Sequence, residues 1–463
     1  MASPAIKWTD PSQQWRWAII FLLISTVLGL MSLVIPVYVI AGLLVGAIVL
    51  SYLALNPAKT FYLAIFTIPF TERIRVLPVS FSLNELIIFY TLVVCVAHAV
   101  MKGHKVSIRT ALDPWIAVLS VLFFLAGFFS ISDTGLLGFF KIIEAFIVYY
   151  LAIYLLRSQQ ITRAAVLKTL VATAVFQALL GTFQSVTGIG AEFQSNRGYL
   201  GYLGLGSNVV WHGKGTTFHF NTLGNFLVIN LLIFVPLLFR HIKRKKRAFL
   251  WFGIILLGVV TTYSRGTLLG LIAGTIFYLA VSQPNLKRAL LMVGAFILCA
   301  IVPLALTLFN SSYVETVSYE ERLMVWQVPM AAINSSAKAF WFGSGLNSYA
   351  LAAWPHIPAS VPMSQYHNWF AHNFYLLTVV EAGIVGAAIL FCFLVYTWLN
   401  SWMRYARTHG GQRTYAILVS VAMVGVFFVS IFDHTFASPH YKVFIFVLLS
   451  LLYVKNTRQF RSV

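Results

Sequence analysis

Charge is scarce in this chain. Only 10 % of its 463 residues are Asp, Glu, Lys or Arg, against about a quarter in soluble domains. Acids are the rarer sign, 12 against 32 Lys and Arg. With 60 % hydrophobic residues and a mean hydropathy of +0.85, that shortage excludes a water-soluble domain and marks a polytopic membrane protein. Cysteine is scarce too. Cys95, Cys299 and Cys392 each lie inside an apolar run, which argues against a disulfide framework or a thiolate metal centre. No cleavage site of small residues follows the first apolar run, which passes straight into a second, so it is expected to stay as an anchor.

Apolar runs long enough to cross a bilayer, roughly 20 residues as helix, are what the chain has in abundance. They fall near 16–32, 34–55, 58–70, 82–101, 114–131, 137–156, 164–186, 221–239, 248–263, 266–282, 289–309, 373–398, 414–432 and 440–454. The expectation is an all-α, polytopic integral membrane protein with 12–14 transmembrane helices, one membrane domain over residues 1–463. Basic loops resist translocation, and the clusters 241–247, 102–109, 157–163, 287–288, 404–413 and 455–461 all fall on one face. That face is expected to be cytoplasmic, with both termini on it. The same placement accounts for most of the +20 net charge. Because the charges flank spans one loop at a time and form no continuous groove, nucleic acid is not an expected partner.

The opposite face keeps few charges: Arg73, Arg75, Arg197, Lys214, Arg265, Arg322 and Lys338, with the acids Glu72, Asp133, Glu192, Glu315, Glu320, Glu321 and Asp433. Arg265, in Thr261-Thr-Tyr-Ser-Arg-Gly266, has almost no loop around it. At that boundary a guanidinium either snorkels to lipid phosphates or binds an anionic ligand through its planar fork. Two long polar segments stand out. The first, 187–220, is glycine-rich and carries Arg197, His212, Lys214 and His219, a composition that can wrap a phosphate and that also suits any flexible loop. Asn221 and Asn225 follow at i and i+4, able to face one side of the next helix.

The second segment, 310–371, is a wet, aromatic stretch in a greasy chain. Apolar spacing over 323–333 predicts an amphipathic helix lying along the membrane surface. The segment delivers His372-Asn373 to the mouth of a span that contains Glu381, and an acid inside a membrane helix asks for a partner. Lys141 and Glu144, at i and i+3, are a second intramembrane pair that could be structural. No metal site is expected, since the external acids form no Asp-x-Asp pair and His367 and His372 stand five apart.

Four elements together resemble the bacterial O-antigen ligases, within the superfamily that includes O-antigen polymerases and O-linked protein glycosyltransferases. These are Ser264-Arg265-Gly266, Arg322 with Trp326, Gly343-Ser-Gly345, and His372-Asn373 with Glu381 and Gly383. Gly215-Thr-Thr-Phe218-His219-Phe220-Asn221 is similar to the family's Gly-Thr-Phe segment, with Phe220 where a proline is usual. The resemblance implies transfer of polysaccharide from undecaprenyl diphosphate to lipid A–core oligosaccharide, on the periplasmic face of the inner membrane. A diphosphate leaving group calls for cations rather than a general acid, and Arg265 suits that role as a catalytic residue. His372 suits the general base, inverting the anomeric centre without metal or cofactor. Arg322, Arg197, Lys214, Asn373, His219 and Asn221 are the candidate substrate contacts, and 310–371 is read as a lid. A polymerase or a protein glycosyltransferase would use the same donor. A lipid-linked sugar flippase is the reading of a different class.

Overall fold

The computed structural model describes residues 46, 48–76, 79–103, 106–194, 210–240, 245–282, 325–359 and 371–454. Its first helices are α1 (Ile48–Ala54) and α2 (Pro57–Phe66), followed by an antiparallel ribbon of β1 (Arg73–Val76) and β2 (Val79–Ser82). Helices α3 (Leu83–Lys102), α4 (Asp113–Phe128), α5 (Gly135–Arg157) and α6 (Arg163–Thr187) lead to a second ribbon, β3 (Glu192–Gln194) with β4 (Val210–His212). Then come α7 (Phe220–Arg240), α8 (Lys245–Thr261), α9 (Arg265–Ser282), α10 (325–333), α11 (Ala337–Phe342) and α12 (Tyr349–Ala353). The chain closes with α13 (Phe374–Arg407), α14 (Gly410–Phe432) and α15 (Pro439–Ser450).

Seven of the described helices are long and apolar enough to cross a membrane: α3, α5, α6, α7 over Phe220–Leu237, α9, α13 and α14. The protein is therefore an all-α polytopic membrane protein, and the two short ribbons are its only strands among the described residues. Helices α4, α8 and α15 occupy three more of the expected spans with 16, 17 and 12 residues. The expected runs 16–32 and 289–309, and most of 34–55, lie outside the described residues.

The chain divides after Thr60 into two compact units. In the first, Thr60 Oγ1 donates to the Leu53 and Asn56 carbonyls at 2.9 and 3.1 Å, closing the turn between α1 and α2. In the second, α7 lies among α6, α8, α9 and α14, and 89 % of its membrane-length window is buried.

Local sequence explains where the helices begin. Ser82 caps α3 by accepting the Glu85 N–H at 3.2 Å, while the Glu85 carboxylate accepts the Ser82 N–H at 3.0 Å, a reciprocal capping box. The second Glu85 oxygen meets Lys141 Nζ at 2.5 Å. Lys141 thus ties α5 to α3 instead of pairing with Glu144 on its own helix, because a carboxylate already oriented by its cap offers a fixed partner to a costly intramembrane charge.

Helix α13 is broken at Gly383, whose φ of 67° and ψ of 179° belong to a region open essentially to glycine alone. The carbonyls of Val380 and Glu381 at the break accept the N–H groups of Ser344 and Gly345 at 2.8 and 2.9 Å. The Gly343-Ser-Gly345 motif is therefore a plug for a helix kink. The same stretch is stitched to the α4–α5 turn, with Ile131 N–H donating to the Ser344 carbonyl at 3.0 Å and Ser130 Oγ to the Leu346 carbonyl at 2.7 Å.

Helix α10 is amphipathic as its spacing predicts, yet its apolar face does not rest on lipid. Val328, Ala332 and Ile333 are buried with Tyr349, Ala353 and Ile357 of the same polar segment and with Leu377 and Val380 of α13. An apolar stripe is satisfied equally by lipid or by protein, and here the first turns of α13 supply the partner.

Candidate functional site

Asn373 starts α13. Its Oδ1 accepts the N–H groups of Tyr375 and Leu376 at 2.9 and 3.1 Å, so the side chain expected to touch substrate serves as an N-cap. His372, one residue earlier, is half-buried with φ 42°. For a residue other than glycine that left-handed backbone costs roughly 1–3 kcal/mol, and such strain concentrates at functional sites.

The end of α14 comes to the same place. The rings of His372 and His434 lie 5.3 Å apart between centroids, and ligand-type atoms of His372, Asp433 and His434 fall within 4.8 Å of one another. Asp433 is buried and its two oxygens are engaged: Oδ2 accepts from Asn225 Nδ2 at 2.7 Å, and Oδ1 accepts the His434 N–H at 2.6 Å. His434 Nδ1 stands 3.5 Å from that Oδ1. On the far side of Asn225, Thr267 Oγ1 donates to its Oδ1 at 2.8 Å and lies 2.7 Å from Ser264 Oγ. A buried polar chain thus runs from the residue before Arg265 to the aspartate beside the histidines.

Two more histidines border the cluster. Burial pushes His219 down to about 4; Asp433 draws it up, and His372, His434 and His212 push it further down. Its Nδ1 accepts the Asn221 N–H at 3.1 Å, so a neutral His219 carries its proton on Nε2. His212 is also lowered by burial, against the Thr262 carbonyl, which stands 3.0 Å from its Nδ1 and favours a proton there. His434 is lowered by burial and raised by Asp433. Burial thus lowers His212, His219 and His434 alike.

The remaining candidates take varied positions. Arg265 is half-buried as the first residue of α9. A Cβ on Gly266 would lie 2.8 Å from Phe432 Cβ, so this glycine admits the end of α14, and with it Asp433, to the Arg265 turn. The close approach that Gly266 permits is made by a helix. Lys214 Nζ stands 3.7 Å from Glu72 Oε1, an exposed partner, in a turn built by two glutamines of α6. Gln184 accepts the Lys214 and Gly215 N–H groups at 3.0 and 2.7 Å, and Gln177 accepts that of Thr216 at 2.9 Å. Asn221 gives its backbone N–H to His219. Arg197 and Arg322 lie outside the described residues.

Asp433 and His434 were the functional candidates least legible in the sequence, the aspartate being one of several external acids. One signal was available: they interrupt two apolar runs as abruptly as His372-Asn373 does. Among the described residues, His372, Asp433 and His434 are also a set that could hold a divalent cation, assembled from two helix ends and invisible to any short spacing rule.

A cavity of about 320 Å³ reaches away from His434 between the helices. Asn347, Glu381 and Lys442 give it a polar flank, and residues such as Phe393 and Phe446 an apolar one. Glu381 has its partners: the backbone N–H groups of Asn347, Ser348 and Tyr349, and the charge of Lys442. The acid binds the polar segment onto α13 at the kink.

The model of the O-antigen ligase family matches residues 250–391. The matched segment is similar to that family. It runs from α8 through Arg265 and the kink plug to beyond Gly383, and it supports an enzyme of the O-antigen ligase or polymerase type. The matched segment contains His372, while His212, His219, Asp433 and His434 meet it from outside the matched range. No curated protein matches the chain.

Proposed function

We propose that the protein is an O-antigen ligase that transfers polysaccharide from undecaprenyl diphosphate to a hydroxyl of lipid A–core oligosaccharide, on the periplasmic face of the inner membrane. The observation that carries this reading is the convergence of His372 with Asp433 and His434 at the helix mouths beside the Arg265 turn. In the reaction the acceptor oxygen attacks C1 of the donor sugar as the C1–O bond to diphosphate breaks. His372 takes the hydroxyl proton, and the configuration at C1 inverts. Arg265 stabilises the negative charge developing on the diphosphate, aided by Arg322, Arg197 and Lys214. Asp433 and its hydrogen-bonded neighbours keep the imidazoles oriented beside it.

Transfer is proposed to need no metal: a guanidinium can answer the diphosphate charge, and both Asp433 oxygens already accept hydrogen bonds. The experiment gives purified protein lipid-linked polysaccharide and lipid A–core in EDTA. Conjugate formation is the expected product. Longer donor chains alone would assign a polymerase, and no covalent product a transporter. Activity that disappears in EDTA and returns with a divalent cation would defeat the metal-free reading and point to the His372–Asp433–His434 set.

A further inference from the structure

The far end of α13 from Asn373 borders a pocket that the proposed reaction does not use. Its volume is about 410 Å³, and its lining includes Arg109, Thr110, Arg157, Arg404, Gln412 and Tyr453. The three arginines come from the segment before α4, the end of α5 and the last turn of α13. Arg157 donates to the carbonyls of Ser107, Arg109 and Tyr453 at 2.6, 3.0 and 3.3 Å. Arg404 donates to the Leu452 carbonyl at 2.9 Å and to Asn400 Oδ1 at 3.1 Å, its guanidinium lying 4.7 Å from the Tyr453 ring centre.

Capping the end of α15 explains part of this arrangement, but not its charge. A helix C-terminus carries about half a negative charge, whereas three guanidiniums bring three positive ones, and no carboxylate lines the pocket among the described residues. Asp113, at the start of α4, accepts from Thr110 and Tyr150 instead. A guanidinium has five N–H donors, and the bonds above use three on Arg157 and two on Arg404. The pocket therefore keeps an excess of roughly two positive charges and several donors in fork geometry. It also sits at the ends of membrane helices with a tyrosine in its wall, at the level where lipid headgroups lie.

We infer that this pocket binds a phosphate-class anion, supplied by the headgroup of an anionic phospholipid or by free phosphate, through the forks of Arg157 and Arg404 with Arg109 at its rim. The test is the thermal unfolding midpoint of the full chain in neutral detergent. It is titrated with phosphatidylglycerol, with phosphatidylcholine, and with inorganic phosphate against chloride at matched ionic strength. A saturable rise with phosphatidylglycerol but not phosphatidylcholine assigns a lipid headgroup, and a rise with phosphate alone assigns the free anion. Arg109→Gln, which removes an exposed side chain, is expected to leave the unliganded midpoint in place and weaken apparent binding about 5- to 10-fold. Arg404→Lys, which keeps the charge and loses the fork, is expected to weaken it similarly. The inference is overturned if neither anion gives a saturable response, or if both variants titrate like the parent.

Discussion

At the residue scale, function is proposed to rest on a histidine held against its backbone preference. His372→Ala should lower conjugate formation by about 10²- to 10⁴-fold, the usual contribution of a positioned base, in protein whose thermal midpoint is unchanged. Near-normal transfer by that variant would remove the base assignment. Arg265→Ala should lose most activity; unchanged activity would return this side chain to the role of a lipid-facing anchor. His219 makes a pH prediction. Its folded value near 4 lies below the ordinary histidine value of about 6.5, so between these limits the unfolded chain binds the extra proton. Stability is then fully kept above about 6.5 and declines as pH falls toward 4. The lowered values of His212 and His434 act in the same direction. Midpoints measured over that window should fall less steeply in His219→Gln than in the parent, and identical slopes would count against burial of a neutral His219.

At the element scale, the kink of α13 is what joins the polar segment to the membrane helices. A Cβ on Gly383 would meet the Trp341 carbonyl oxygen at 2.2 Å, on a backbone that other residues avoid. Gly383→Ala is expected to cost about 1–3 kcal/mol in backbone strain and a comparable amount in overlap, visible as a lowered midpoint and faster proteolysis between α12 and α13. Gly410→Ala is the control, since its φ of 61° is also positive but nothing lies within 4 Å of the added carbon. Comparable damage from the two would mean that the plug carries little. The motif was readable in the sequence as two glycines flanking a serine, whereas its use as a helix plug was not, because its partners are carbonyls released by a break elsewhere in the chain. The cap role of Asn373 was within reach of sequence reasoning, since Asn before a helical run is a strong N-cap.

At the scale of the whole molecule, the candidate site occupies one end of the helices and the arginine pocket the other, as the directions of α13 and α14 require. Single cysteines placed at Lys338 and at Arg407 in a cysteine-free background should differ in labelling by a membrane-impermeant maleimide. Position 338 is expected to react from the periplasm and 407 only after permeabilisation. Equal labelling of both would defeat the proposed orientation.

Membrane character, the extents of most helices and the polar punctuation at their ends were determined by the sequence alone, because lipid acts locally: any window of about 20 residues must satisfy the bilayer by its own composition. For the same reason Arg265 and His372 stood out, as polar residues where apolar runs begin. Which ends meet was decided by tertiary structure. Asn225 finds Asp433 across 208 residues of sequence, Lys141 chooses Glu85 over Glu144, and Arg157 reaches the carbonyl of Tyr453. Such pairings depend on how packed helices align their termini, a geometry to which no short stretch of chain responds on its own.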